Sequence, residues 1–254
     1  MRLVRALLVI VDISGYTEFI TNRQVSLLHA EQIITDLMES VIDVAEHPLT
    51  VNKLEGDAAL LFREHAPEDG PAATRDVLAQ VGGFFDAFGT CLARIRHERR
   101  HCSCDACSNT ERLCLKAFVH TGEIAIKQVR RFEELAGEEV IAIHRMLKNT
   151  VPSREYVLAS TPVRDAAGDA LAAATPHAET LDGIGETTLW LARPADLPRL
   201  PARPVPEPAA PVDAAPPQTT AEIRREKTFH HLPGAAPGGL AKLWTALRAR
   251  ITGA

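Results

Sequence analysis

Six apolar residues in a row, Ala6 to Val11, run directly into a carboxylate, Asp12. Residues 3–12 read as a strand of the core. Burying the Asp12 carboxylate there without a partner would cost several kcal/mol, about the stability margin of a whole domain. Asp12 therefore poses a question that the rest of the chain must answer. Ser14, Gly15, Tyr16 and Thr17 follow it as a short turn.

From about Leu28 to Glu46 apolar residues recur at helical spacing (Ile33, Ile34, Leu37, Val41, Val44), and Pro48 closes that helix. Two extended runs, LTVNKLEGD and AALLFREH, meet at Gly56-Asp57 and predict a β-hairpin. A second helix is predicted from Ala72 to Arg100, with Val77, Val81, Phe84, Phe85, Phe88 and Leu92 as its buried stripe. After a Cys-rich insert over 101–114, LKAFVHTGEIAIKQV predicts two strands around a turn at His120-Thr121-Gly122. GEEVIAIHRMLKN predicts a short helix, and EYVLAS and ETTLWLA the last strands. The order β-α-β-β-α-β-β-α-β-β predicts an α+β domain over residues 1–193, a mixed sheet with helices on one face.

Beyond that domain, nine of the chain's seventeen prolines fall between Pro194 and Pro217, so that stretch reads as stiff and extended within a Pro/Ala-rich flexible linker over residues 194–239. Residues 240–254 place Leu240, Leu243, Trp244, Leu247 and Ile251 on one helical face. Such a helix docks on its own domain or on a dimer partner, with a membrane surface as the second candidate. Composition excludes more than it assigns. A net charge of -5, with lysines and arginines mostly scattered, leaves no electrostatic footprint for nucleic acid. No run is long and apolar enough to span a membrane, and Asp12 interrupts the N-terminal run too early for a signal peptide. The expected compartment is the cytoplasm.

If the first strand and the hairpin are neighbours, Asp12 and Asp57 converge at one rim of the sheet. Hard divalent cations such as Mg²⁺ take that arrangement, completing their shell with phosphate oxygens and water. Gly15 would let several backbone N–H groups approach a triphosphate. Each aspartate alone has an ordinary explanation, as a helix cap or a turn residue. Together with their neighbours they carry a resemblance. VDISGYTEF (Val11 to Phe19) resembles the first metal motif of class III adenylate and guanylate cyclases, and KLEGDAALLF (Lys53 to Phe62) the second. AFVHTGEIAI (Ala117 to Ile126) is similar to that family's His-Thr-Gly segment, and GEEVIAIHRM (Gly137 to Met146) to the helix after it, in the same order over about residues 5–193.

The resemblance implies a ferredoxin-like cyclase-homology fold and a head-to-tail homodimer with nucleoside triphosphate sites between the chains. Asp12 and Asp57 would hold two Mg²⁺ or Mn²⁺ ions, with the backbone of Ile13, Ser14, Gly15, Tyr16 and Thr17 around the phosphates. Lys53 of the other chain would read the purine, a lysine there leaning toward adenine, and Glu134 lies near the position of the second base-reading acid. Arg145 matches the arginine that stabilises charge developing on the α-phosphate. One position departs: where the family has a ribose-orienting asparagine, four residues before that arginine, this chain has Ile141. An apolar side chain supplies no hydrogen bond, a loss on the order of a hundredfold in rate at a catalytic site. Two readings follow. One is a nucleotidyl cyclase making a 3′,5′-cyclic nucleotide and pyrophosphate, from ATP ahead of GTP. The other is a silent or weak cyclase-like module that binds nucleotide and regulates through its Cys loop.

Cys102, Cys104, Cys107 and Cys114 are spaced C-x-C-x2-C-x6-C, while Cys91 stands apart. Four thiolates within thirteen residues suit a tetrahedral structural Zn²⁺ holding a loop too short for its own core. A redox-sensing thiol cluster and unligated cysteines are the alternatives, and no standard iron–sulfur spacing is present. His101 is a further candidate ligand, though a solvated loop residue is the commoner case. The other histidines have unremarkable places: His120 at a turn, His144 on a helix face, His230-His231 in the tail, and His29 beside Asp36 on one helix side.

Overall fold

The computed structural model describes residues 1–21, 26–45 and 48–199. The expected linker and tail helix, with His230-His231, therefore lie outside the described residues, apart from the first few positions after Pro194. The apolar run is the middle of strand β1 (Arg2–Ser14), hydrogen-bonded along one edge to β3 (Ala58–Glu64) and along the other to β4 (Cys114–Val129), both antiparallel. It is buried on both faces. Leu7, Val9, Val11 and Ile13 face one apolar cluster, and Ala6, Leu8 and Ile10 face a second, as the period of two in a strand requires.

The first cluster is covered by helix α2 (Leu27–Asp43) and helix α3 (Gly70–Glu98). Helix α2 buries Ile33, Ile34, Leu37 and Val41, and α3 buries Val77, Val81, Phe84, Phe85 and Phe88, the stripes expected from periodicity. A six-residue helix, α1 (Tyr16–Thr21), precedes α2. The hairpin at Gly56-Asp57 joins β2 (Thr50–Glu55) to β3, with Gly56 at φ 71° in the left-handed region that this turn needs. The four strands β4-β1-β3-β2 with α2 and α3 on one face form the ferredoxin-like split βαβ arrangement.

Strand β4 differs from expectation. His120, Thr121 and Gly122 do not turn. They lie in register opposite Leu8, Leu7 and Ala6 of β1, and the Thr121 hydroxyl donates to the Ala6 carbonyl at 3.1 Å. A continuous partner strand of thirteen residues supplies hydrogen bonds all along this stretch, and that outweighs the local turn preference of Thr-Gly. The reversal comes later, at Arg130, whose φ is 56°, and leads into β5 (Phe132–Ala136) against the far half of β4.

The insert between α3 and β4 has its own short helix, α4 (Asp105–Ser108); helix α5 (Glu138–Met146) follows β5 and crosses to β6 (Tyr156–Ser160), which runs parallel to β4. The expectation of helices on one face holds for α2, α3 and α6 (Thr161–Ala167). Helix α5 packs on the other face, where Val140, Ile143 and Met146 cover Leu8, Ile10 and Phe118. The second face of β1 is as apolar as the first and needs a cover of its own. Strands β7 (Thr175–Leu181) and β8 (Gly185–Ala192) complete the sheet, in the order β2-β3-β1-β4-β6-β8-β7. Leu197 is buried in the first cluster, so the packed core reaches a few residues past Pro194. No helix among the described residues is long and apolar enough to cross a membrane.

Helix α5 is also fastened by charge. His144 Nε2 lies 3.3 Å from Glu55 on β2, and His144 Nδ1 lies 2.7 Å from the Val140 carbonyl oxygen. Both ring nitrogens face acceptors, which calls for the doubly protonated imidazolium. Burial alone would lower the His144 pKa, but Glu55 and the Val140 carbonyl outweigh it and the net shift is upward. Glu55 is held down to about 2, first by His144 and, against burial, also by Lys53.

Two stability measurements test this packing. Phe84→Ala removes a fully buried ring and should cost about 3–5 kcal/mol in urea unfolding, whereas the half-buried Leu92 should lose roughly half as much or less when truncated to alanine; equal losses would contradict the assigned stripe. The His144–Glu55 pair has a signed pH dependence. The raised His144 pKa contributes stability that is complete below about pH 6.5 and is lost as pH rises through the folded-state value, and the Glu55 contribution is lost as pH falls below about 4.5 toward 2. Wild type should therefore exceed His144→Gln in Tm by about 2–4 °C near pH 5.5, as expected for a pair worth ~1 kcal/mol, and the gap should narrow as pH rises through the folded-state pKa of His144.

Candidate functional site

Asp12 lies within the buried part of β1, between Val11 and Ile13, on the face that carries Ala6, Leu8 and Ile10. Its carboxylate is four-fifths covered and pairs with Lys116 Nζ at 2.8 Å. Lys116 lies directly opposite Asp12 across β1 and β4, and Tyr156 lies opposite Lys116 across β4 and β6. Asp12, Lys116 and Tyr156 thus form a row over three strands, with the Tyr156 hydroxyl donating to Asn149 Oδ1 at 2.9 Å. Burial pushes the Tyr156 pKa up, and the nearby Asp12 charge adds to the rise. Lys116 escaped the sequence reading. Its signal was a charged residue two positions before Phe118, in phase with the buried side of the strand.

Asp57 reaches the same rim. The Ile13 N–H donates to the Asp57 carbonyl oxygen at 3.0 Å, and Asp12 is in register with Ala58, the next residue. The expected convergence of the two aspartate positions is therefore built by the β1–β3 ladder. The same bond occupies the Ile13 N–H and its side chain is buried in the core, so within the turn it is Gly15, Tyr16 and Thr17 that are partly or largely exposed. Gly15 has φ 89°, and Tyr16 starts α1. The Tyr16 hydroxyl donates to Glu31 Oε1 at 3.5 Å, and its pKa is pushed up to about 12, first by burial and then by the charges of Glu31 and Asp57. Glu31 and Asp57 thus place negative charge around the Tyr16 hydroxyl, while Lys116 offsets that of Asp12.

The remaining candidates form a second group. Lys53 Nζ lies 2.9 Å from Glu55 on the same face of β2, and Asn52 beside it donates to the Glu133 carbonyl oxygen at 3.4 Å. That bond brings β5, with Glu134, against the strand of Lys53. On α5, Arg145 Nη1 lies 3.1 Å from Asp182 in the β7–β8 turn. Ile141, one turn earlier on the same helix side, is 55% exposed. An apolar side chain with that much exposure gains little from burial. The two groups engage different partners within one chain: Asp12 with Lys116, Arg145 with Asp182, Lys53 with Glu55.

The cysteines assemble differently from expectation. Cys102, Cys104 and Cys107 gather around His29 in the first turn of α2, whose Nδ1 lies 3.4, 3.5 and 3.6 Å from the three Sγ atoms. All four side chains are buried, and their ligand atoms lie within 4.8 Å of one another. Cys114 is not the fourth member. It opens β4 in register with Ser14, where strand pairing directs it away from the cluster. His101 is exposed. Cys104 is held well below the ordinary thiol range, first by the thiol of Cys107, with the Cys107 N–H and His29 adding against the opposing effect of burial. His29 carried a signal that the sequence reading passed over: it is in phase with the Ala30, Ile33, Ile34, Leu37 stripe, where a polar residue needs a partner.

Residues 34–156 match a family model described as "Protein of unknown function (DUF2652)". The uncharacterized protein Rv2561/Rv2562 of Mycobacterium tuberculosis is 35% identical over 158 residues, 61% of this chain and 70% of that protein. Among solved structures, the guanylyl cyclase Cya2 superimposes with a TM-score of 0.60 at 15% identity, covering 75% of this chain and 92% of that one. A class III adenylyl cyclase-like ATP-binding protein from Pseudomonas aeruginosa superimposes with a TM-score of 0.56 at 14% identity, covering 73% of this chain and 38% of that one. Identities this low establish the fold, and the mycobacterial relative establishes kinship. The chain belongs to the same family as Rv2561/Rv2562, a divergent branch built on the class III adenylyl and guanylyl cyclase fold.

Proposed function

We propose that this protein is a homodimeric nucleotidyl cyclase of class III type, converting a nucleoside triphosphate, ATP ahead of GTP, to a 3′,5′-cyclic nucleotide and pyrophosphate from the cytoplasmic pool. The observation that carries the reading is the convergence of Asp12 and Asp57 on one rim, tied by the Ile13 N–H to the Asp57 carbonyl. The partition of the candidates into two groups supports a second copy as the completing partner, one chain offering Asp12 and Asp57 and the other Lys53 and Arg145.

Hard oxygen donors suit Mg²⁺ or Mn²⁺ at the rim, where such ions supply neutralisation of the triphosphate and a more acidic ribose 3′-hydroxyl. The fit needs one adjustment, since the Lys116 ammonium now sits on Asp12 and must turn aside or share the carboxylate. The segment from Gly15 to Thr17, where α1 begins, lines the phosphates with backbone N–H groups. Lys53 of the partner copy donates to the base, with Glu134 beside its strand. Arg145, released from the exposed Asp182, places its guanidinium where charge develops on the α-phosphate. The His29 cluster is sulfur-rich and selects a softer ion, Zn²⁺, so the two metal chemistries do not compete.

A second reading is a silent nucleotide-binding dimer. It is favoured by Ile141, exposed and unable to orient a ribose, and by Lys116, which can neutralise phosphate charge without turnover. The P. aeruginosa neighbour, described as an ATP-binding protein of cyclase-like fold, sets a precedent for that outcome.

Incubating purified protein with ATP, GTP, CTP and UTP and Mn²⁺ or Mg²⁺, with products read by mass spectrometry, should yield a cyclic nucleotide that falls at least about a hundredfold in Asp57→Ala. Binding without product in the wild type would establish the second reading and overturn the first. The Lys116–Asp12 pair offers an independent check. Lys116→Met removes a competitor for the carboxylate and should tighten Mn²⁺ binding by up to about tenfold, the equivalent of a partly covered ion pair. Unchanged or weaker Mn²⁺ affinity by titration calorimetry would remove Asp12 from the ligand set.

A further inference from the structure

The insert between α3 and β4 has little to hold it. Its helical pieces are four and three residues long, far below the length at which a helix sustains itself. What it does have is the buried cluster of His29, Cys102, Cys104 and Cys107. A tetrahedral zinc with bonds of about 2.3 Å to sulfur and 2.0 Å to nitrogen spaces its ligand atoms about 3.5–3.8 Å apart. The contacts here are 3.4–3.6 Å from His29 Nδ1 to the three sulfurs and 3.6 Å between Cys102 and Cys104. Sulfurs at that separation are not a disulfide, whose bond is about 2.05 Å, and all five cysteines are free. Four protein ligands close the shell, which is the mark of a structural rather than a catalytic site.

On its far side the same insert touches the turn that follows Asp12. A Cβ on Gly15 would come 2.8 Å from the Arg112 carbonyl oxygen, so only glycine admits the insert this close. The Arg112 guanidinium donates to Glu18 at 2.9 Å. Arg154 donates to the Arg112 carbonyl at 3.5 Å and to Glu18 at 3.2 Å. The insert is therefore gripped at both ends, by α2 through the cluster and by Gly15 and the first turn of α1 through Arg112.

We infer that a zinc ion held by His29, Cys102, Cys104 and Cys107 fastens the insert to α2 and thereby fixes Gly15 and the first turn of α1 beside Asp12, so that metal occupancy controls the order of that segment. Neither the ion nor its hold on that segment rests on the function proposed above.

The test uses the full chain without nucleotide. Elemental analysis should find about one zinc per chain in wild type and in Cys114→Ser, and loss of the zinc in Cys104→Ser. His29→Cys, which replaces nitrogen by a thiolate, should retain it. Cobalt exchanged into the site should show thiolate charge-transfer and tetrahedral absorption bands. Chelation should then raise hydrogen–deuterium exchange of a peptide over 13–21 by about tenfold or more while residues 6–11 stay protected. Zinc retained in full by His29→Ala, or lost in Cys114→Ser, would overturn the ligand set. Exchange of 13–21 unchanged by chelation would overturn the coupling. Neither readout involves nucleotide, so failure of the cyclase reading leaves both standing.

Discussion

Strand β1 is the constraint on which the rest depends. It is hydrogen-bonded on both edges and apolar on both faces, and those two facts lock its register. A slip of one residue would exchange Leu7, Val9, Val11 and Ile13 for Ala6, Leu8, Ile10 and Asp12 beneath α2 and α3. That slip would bury the Asp12 carboxylate in the larger cluster, away from Lys116. The hydrophobic energy of the central strand thus selects the face on which its one acid emerges. Asp57 follows, because the β3 register that satisfies β1 also brings the hairpin turn to the Ile13 N–H.

From that rim the chain reaches two chemistries with opposite ligand preferences. Carboxylates partly open to solvent suit hard ions and phosphate, whereas three thiols and an imidazole, all buried, suit a soft closed site. The structural link between them is short. The residues from Gly15 to Glu18 lie between Asp12 on one side and Arg112 on the other, and Arg112 lies a few residues from Cys107. A loop with no core of its own, placed there without a fastening, would leave the most exposed part of the candidate site undefined.

Much of the fold was legible. The two long helices show their buried stripes at a period of 3.6, and the β2–β3 hairpin shows its Gly-Asp turn, because both signals are local. The misread turn at His120-Thr121-Gly122 shows the limit: Thr and Gly favour a turn in isolation, but a partner strand on β1 satisfies their backbone instead. Strands β5 and β7, alternating weakly and in part exposed, had no comparable signature. Helix α5 was recognised as a helix but not as the cover of the second face, since its amphipathic stripe does not say which surface it meets.

The sequence by itself determined the elements, the side of each strand that carries apolar residues, and the kinds of donor present: paired acids at strand ends, clustered thiols, an arginine on a short helix, and an isoleucine where a cyclase has asparagine. Only the tertiary structure decided which of them meet. It set Lys116 on Asp12, bound Glu55 to His144, and put His29 rather than Cys114 with the three cysteines. Periodicity and turn chemistry act over a few residues and can be read along the chain. Ion pairs and coordination shells join residues about seventy to a hundred positions apart, and those distances are set by strand register and helix packing.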